Sequence, residues 1–329
     1  MSFSRRWKRA ACLHTMRAMS ISSATFPAPA LPRLPTLIVA CLAATWLIWG
    51  STYLAIKWAL VSFPPFFQMG TRFVAAALLL GAWAAWRGAR WPARAEWFSA
   101  TVLGALMIGG GYGATAVAEV SVSSGLVVAF IAVVPALVAL GQWPYGVRPT
   151  RHEVAGIAIG LAGVVMLTFG QGFSASLPGL LAIALACVTW SAGNVWAVHG
   201  LPGGRQIRLA PGAVGYASQM LMGGLMLLGA SWVAGEQPSL PLDPRALLSW
   251  LYLVVAGSLV GFSAYMLLLQ RTTPTLASSY TFVNPIIGLV LGVTLGGEAV
   301  TALEWAAAGV VSAGVVLLLM SKRSTAAGG

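Results

Sequence analysis

The sequence predicts an all-α polytopic membrane protein: ten transmembrane helices arranged as two inverted five-helix repeats. Three observations predict it. Of the 329 residues, 58% are hydrophobic and only 8% are charged, with a mean hydropathy of +0.84, whereas a water-wetted globular surface needs about 25% charged residues. The apolar residues are gathered into continuous runs long enough to span a bilayer as helices, roughly 20 residues each, and lack the period-two alternation of a transmembrane barrel. Landmark residues of the first half of the chain then recur in the second.

Before the first run, residues 1–34 are rich in Pro, Ser and Ala and carry Arg5, Arg6, Lys8, Arg9, Arg17 and Arg33 with no long apolar stretch among them. They read as a disordered cytoplasmic leader and not as a cleaved signal peptide; Met16 or Met19 could be the true start. The apolar runs follow at 36–58, 64–86, 97–118, 122–143, 154–170, 177–198, 212–234, 247–269, 276–296 and 302–320.

With a cytoplasmic N-terminus, the leader cations share one side with Arg87, Arg90, Arg94, Arg148, Arg151, Arg205, Arg208, Arg271, Lys322 and Arg323. The opposite side keeps Arg245, while Lys57 and Arg72 lie within runs. Cationic loops resist translocation, so this asymmetry places both termini in the cytoplasm. The net charge of +12 is thereby a topology signal, and no nucleic-acid partner is needed to explain it. Cys12, Cys41 and Cys187 have neither metal-ligand spacing nor the pattern of a disulfide framework.

Taken in order, the runs carry these features. The first holds Trp49 near its centre and Tyr53 four residues on, hence on one helix face, with Lys57 near its end. Trp ordinarily prefers the membrane interfaces, so a central Trp points to a cavity lining or a packing belt. The second holds Arg72, a charge that costs about 2.5–3.5 kcal/mol at a helix centre. It would face a cavity and attract an anionic or zwitterionic solute, pair with Glu119, or snorkel outward. The third contains Gly109-Gly110-Gly111-Tyr112-Gly113, where helices approach closely or the backbone loosens, and ends beside Glu119. Glu119 would bind a proton or a cationic group, cap the next helix, or pair with Arg72 or Lys57. The fourth begins with Ser124 and contains Pro135, which should kink it; the fifth contains Gly163.

The second half repeats this pattern. The sixth run places Trp190 near its centre and Asn194 four residues on. The eighth carries Gly257, Gly261 and Tyr265. The ninth carries Tyr280 and Asn284 at the same spacing, then Pro285, with Gly288, Gly292 and Gly296 every four residues, a close-packing pattern. Gly314 in the tenth follows Pro285 by 29 residues, as Gly163 follows Pro135 by 28. The halves are therefore 35–170 and 177–321. Five is odd, so the second inserts upside down, an architecture in which two halves expose a midplane site to either side. Duplication without alternating access is the plainer alternative. Trp49, Tyr53, Ser124, Trp190, Asn194, Tyr265, Tyr280 and Asn284 are the candidate cavity lining, with Glu119, Arg72 and Lys57 for coupling or charge pairing and Pro135 and Pro285 as kinks.

Several stretches carry a family resemblance. Trp49-Gly50-Ser51-Thr52-Tyr53-Leu54-Ala55-Ile56-Lys57 resembles the first helix of the EamA family of the drug/metabolite transporter superfamily. Pro64-Pro65 with Arg72-Phe73, Ala118-Glu119 with Ser124-Gly125, Ser278-Ser279-Tyr280-Thr281-Phe282-Val283-Asn284-Pro285 and Gly296-Gly297-Glu298 are similar to later motifs of that family, and the whole looks most like its YedA-type drug/metabolite exporters. The resemblance implies a ten-helix inner-membrane fold with a central cavity and export or exchange of small organic solutes. One departure stands out: the family often has a Glu after the fourth helix, mirroring Glu298, where this chain has Val147.

A secondary transporter is thus the expected function. No Gly-Lys-Ser/Thr follows a glycine-rich strand, so ATP-driven transport by this chain alone is not indicated. The alternative is an integral-membrane enzyme acting on a lipid-like substrate. Its acids and bases would have to come from a single aspartate, Asp243, and the scattered His14, His152 and His199. No cofactor or metal is expected. The expected partners are a small-molecule substrate and the bilayer; proton coupling and pairing into a homodimer stay open.

Overall fold

The computed structural model describes residues 36–168, 175–271, 277, 280–297 and 299–325. The expected leader, Ser278, Ser279 and Glu298 lie outside the described residues. The helices are α1 (Thr36–Ala59), α2 (Pro65–Trp86), α3 (Arg94–Glu119), α4 (Ser124–Tyr145), α5 (Arg151–Thr168), α6 (Leu177–His199), α7 (Ala213–Val233), α8 (Pro244–Arg271), α9 (Tyr280–Thr294) and α10 (Ala302–Thr325). No strand occurs among the described residues. Among the described residues, seven helices, α1–α4 and α6–α8, are long and apolar enough to cross a membrane, and Val283–Thr294 within α9 is a shorter apolar stretch.

Helix starts follow from local chemistry. Ser176 accepts from the Gly179 N–H at 3.1 Å ahead of α6, and Asp243 accepts from the Ala246 N–H at 2.9 Å ahead of α8, each satisfying an otherwise unpaired donor. α5 and α10 begin with matching capping boxes. In the first, the Thr150 N–H donates to Glu153 at 2.6 Å and the Glu153 N–H to the Thr150 hydroxyl at 3.2 Å. In the second, the Thr301 N–H donates to Glu304 at 2.6 Å and the Glu304 N–H to the Thr301 hydroxyl at 3.3 Å. Glu236, between α7 and α8, accepts from the N–H groups of Phe66 and Phe67 at 3.2 and 2.7 Å. A negative charge thereby meets the positive end of α2.

α1 packs along α8 and α9, α6 along α3 and α4, α2 against α7, and α5 against α10. Missing side chains permit the closest approaches. A Cβ on Gly163 would stand 2.8 Å from the backbone nitrogen of Val311, and one on Gly314 would stand 2.6 Å from that of Gly160. The two glycines singled out by their spacing thus face the same α5–α10 seam.

Two helices depart from regular geometry. α3 widens into π turns over Gly104–Gly113, and α8 does so over Leu253–Phe262; such turns are rare and concentrate at functional sites. The glycine stretch of α3 allows either close helix approach or a loosened backbone, and the π turns there show the second; in α8 the sequence signals only close helix contact at Gly257 and Gly261. Pro135 does not kink a continuous helix. The regular turns of α4 stop at Ile131 and resume at Val134, putting Pro135 in a first turn, where its missing N–H leaves nothing unpaired. Pro285 does lie inside α9.

Candidate functional site: a central aromatic cavity

Position along α1 determines what it offers to the interior. Trp49, Tyr53 and Ile56 recur at helical spacing and share one buried face. They line a central cavity with Thr52, with Gly111, Tyr112 and Thr115 of the widened part of α3 and its continuation, and with Trp190 of α6 and Tyr280 of α9. The cavity measures about 40 Å³. One water needs about 10–15 Å³ on that measure, whereas ligand pockets run to roughly 300–1,000 Å³. In this conformation the space admits a few waters, and a solute enters only if the rings part. A larger hollow of about 300 Å³ lies between α2 and α7 beside Trp91 and Trp97. Its lining is almost wholly apolar, so the polar chemistry resides in the smaller cavity.

The rings meet at defined angles. Trp49 and Trp190 lie edge to face, 6.1 Å between centroids at 80°. Tyr280 meets Trp49 at 4.7 Å and 86°, and Tyr265 meets it at 5.0 Å. Tyr112 meets Trp190 at 5.4 Å and 85°. Edge-to-face contacts of this kind contribute about 0.5–1.5 kcal/mol each beyond burial. Glycines of the widened segments admit them: a Cβ on Gly111 would stand 3.1 Å from the Trp190 ring, and one on Gly261 would stand 2.6 Å from the Trp49 indole nitrogen.

The two tryptophans differ in their polar tips. The Trp49 N–H donates to the Gly257 carbonyl at 3.2 Å. The Trp190 N–H is buried and makes no hydrogen bond of good geometry; the Tyr280 hydroxyl is the polar group beside it. Behind the rings, the Tyr265 hydroxyl donates to the Asn194 side-chain oxygen at 2.8 Å, and the Asn194 nitrogen donates to the Trp190 carbonyl at 2.9 Å. Asn284, with its amide nitrogen turned toward them, donates to the carbonyls of Tyr280 and Trp46 at 3.1 Å each, tying α9 to α1.

Of the eight residues expected to line a cavity, Trp49, Tyr53, Trp190 and Tyr280 do so. Tyr265, Asn194 and Asn284 form a supporting layer through the contacts above. Ser124 is buried in the first turn of α4, away from the cavity wall, because its early position in α4 sets it apart from Ile131 and Val134, which do reach the wall.

Arg72 follows none of its three expected placements. It is fully buried, its Nε donates to the Ser258 hydroxyl at 2.8 Å, and it forms no ion pair with Glu119. Neither does it snorkel or line the cavity; the Tyr112 ring stands beside it, 5.2 Å from the guanidinium carbon. Glu119 is buried at the end of α3, one turn beyond Thr115 on the same face. Lys57 is half-buried in the last turn of α1.

Tyr112, Thr52, Thr115 and Ser258 were not among the expected residues. Tyr112 and Thr52 lie inside stretches quoted for their glycines or for their family likeness, so a signal existed. Ser258 had none, because its role depends on a contact 186 residues away in the chain.

Comparisons with known proteins agree with this picture. The model of the EamA-like transporter family matches residues 35–169 and again 177–320. The chain is 36% identical over 280 residues to the uncharacterized inner membrane transporter YedA of Escherichia coli, covering 85% of this chain and 89% of that protein. It is 27% identical over 248 residues to Protein PecM of Dickeya dadantii, covering 74% and 80%. A Salmonella typhimurium protein named "Probable amino-acid metabolite efflux pump" is 25% identical over 185 residues, covering 54% of this chain and 61% of its own. One solved crystal structure, 20% identical, shares the fold with a TM-score of 0.63 over 88% of this chain and 98% of its own. Two family matches that together take in nearly all of the chain after residue 34, with a relative more than one-third identical, settle the assignment: this protein belongs to the EamA-like transporter family.

Proposed function

We propose that the protein is a secondary transporter that moves small organic solutes across the inner membrane by alternating access, with export as its working direction. The observation that carries the proposal is the meeting of Trp49 and Trp190 across the cavity. Each comes from the first helix of its half and is backed by a glycine in the widened third helix of the other half, Gly261 and Gly111. The reading divides the chain into repeats 35–170 and 177–321, ten membrane-spanning helices with both termini cytoplasmic. The exchanged packing of α1 on α9 and α6 on α4, with α2 on α7 and α5 on α10, supports such a pseudo-two-fold arrangement. So do the paired capping boxes at Thr150 and Thr301. A cavity filled by aromatic rings suits a solute with a flat or apolar body, and the Salmonella relative's name is in keeping with a small organic metabolite.

The test is an unbiased profile of metabolites in the medium of cells overproducing the chain, beside empty-vector cells and cells making Trp49→Ala. A solute enriched by the intact protein and not by the variant is the expected result. Equal profiles in all three cultures would argue against metabolite export.

A further inference from the structure

Packing leaves Arg72 incomplete. Its Nε has Ser258, one terminal nitrogen reaches only the Met69 sulfur at 3.6 Å, and the other, Nη2, is buried with no acceptor among the described residues. The faces of Phe73 and Tyr112, 4.9 and 5.2 Å from the guanidinium carbon, supply a partial counterweight to the charge. Gly257 keeps space open at Nη2, where a Cβ would stand 2.7 Å away. Tyr112 is also part of the cavity wall, and its ring meets Trp190 at 5.4 Å between centroids. A positive charge without a carboxylate partner among the described residues therefore stands beside a ring of the cavity wall. On the cavity side, the Trp190 N–H is a second buried donor, with no well-formed hydrogen bond and only the Tyr280 hydroxyl beside it.

The geometry points to a monoanionic, carboxylate-bearing solute as the substrate class, its carboxylate received by Arg72 when the Tyr112 ring swings aside, with the Trp190 N–H as a second donor. This inference rests on the transporter reading above. The terminal nitrogens of an arginine form a planar fork that matches a carboxylate. One negative charge neutralises Arg72, whereas a dianion would leave an uncompensated buried charge. The rest of the solute then stacks among Trp49, Trp190 and Tyr280.

The test uses the full chain in liposomes loaded with a cell metabolite extract, with efflux sorted by charge at pH 7 and protein-free liposomes alongside. The wild type is expected to release monocarboxylates at least about tenfold faster than amines and neutral solutes of similar size, the scale of a buried charge-paired hydrogen bond. Arg72→Lys should keep a weakened preference and Arg72→Gln should lose it while both retain wild-type elution and melting. Should Arg72→Gln fail to fold, Tyr112→Leu decides: with the charge kept and the ring removed, the ratio of carboxylate to amine efflux should rise above that of the wild type, whatever the change in overall rate. Efflux without charge preference, a preference that survives Arg72→Gln, or a ratio that Tyr112→Leu does not raise overturns the inference while leaving a transporter. No efflux above protein-free liposomes overturns the transporter reading with it.

Discussion

The indole N–H of Trp49 donates to the carbonyl of Gly257 across the α1–α8 contact, and that same glycine keeps clear the space occupied by Arg72. One small residue in a widened helix thus holds a cavity-lining ring and accommodates a buried charge. A methyl group there meets Arg72 Nη2 at 2.7 Å and Thr52 Cγ2 at 3.2 Å. Gly257→Ala is expected to lower stability by about 1–3 kcal/mol, the range for overpacking, and to slow transport more than it lowers the amount of folded protein. Thermal unfolding in detergent and initial efflux rates measure the two effects; wild-type values for both would show that Arg72 moves freely.

The unequal tips of the two tryptophans predict unequal costs. Trp49→Phe removes a hydrogen bond and leaves the Gly257 carbonyl without it, a loss of about 1 kcal/mol. Trp190→Phe removes an N–H that has only a poorly aligned contact with the Tyr280 hydroxyl, so it should cost less stability than Trp49→Phe. Denaturation of the two variants side by side checks the order, and the reverse order would contradict the geometry.

Tyr265→Phe deletes the donor that satisfies the buried Asn194 oxygen. Stranding a buried acceptor costs about 1–3 kcal/mol. The variant should melt earlier, and Tyr265→Phe combined with Asn194→Leu should recover part of the loss. No recovery in the double variant would mean that the ring packing matters more than the hydrogen bond.

Position on the α5–α10 seam should separate glycines of the same helices. Gly314→Ala forces a Cβ to 2.6 Å from the Gly160 backbone nitrogen, whereas a Cβ on Gly309 meets nothing within 4 Å. Gly314→Ala should destabilise by about 1–3 kcal/mol. Gly309→Ala should be neutral or slightly stabilising, because alanine is the better helix former. Melting temperatures of the two variants decide.

Much of the fold is legible in the sequence. Continuous apolar runs in a chain with so few charges leave little but helices, since a backbone in lipid must satisfy its own hydrogen bonds. The stretches around Trp49, Ser124 and Tyr280 carried the family likeness that the comparisons bear out. Trp49 and Tyr53 were readable as a pair because a spacing of four residues puts them on one face. Tyr112 was harder to see, since its neighbours explained the stretch as a glycine feature and its ring matters only where α3 meets α2 and α6.

What the chain alone determined is the class of element and the order in which the elements follow, together with the side chains that share a helix face, because periodicity and hydropathy are local. What only the tertiary structure decided is which face meets which neighbour. Arg72 finds Ser258 on α8 and not Glu119, Trp49 makes a well-formed hydrogen bond while Trp190 does not, and Ser124 is not among the residues of the cavity wall. These outcomes depend on how far each helix is rotated and how closely its glycines let a neighbour approach. That is set by contacts between residues more than a hundred positions apart, as with Arg72 and Ser258 at 186.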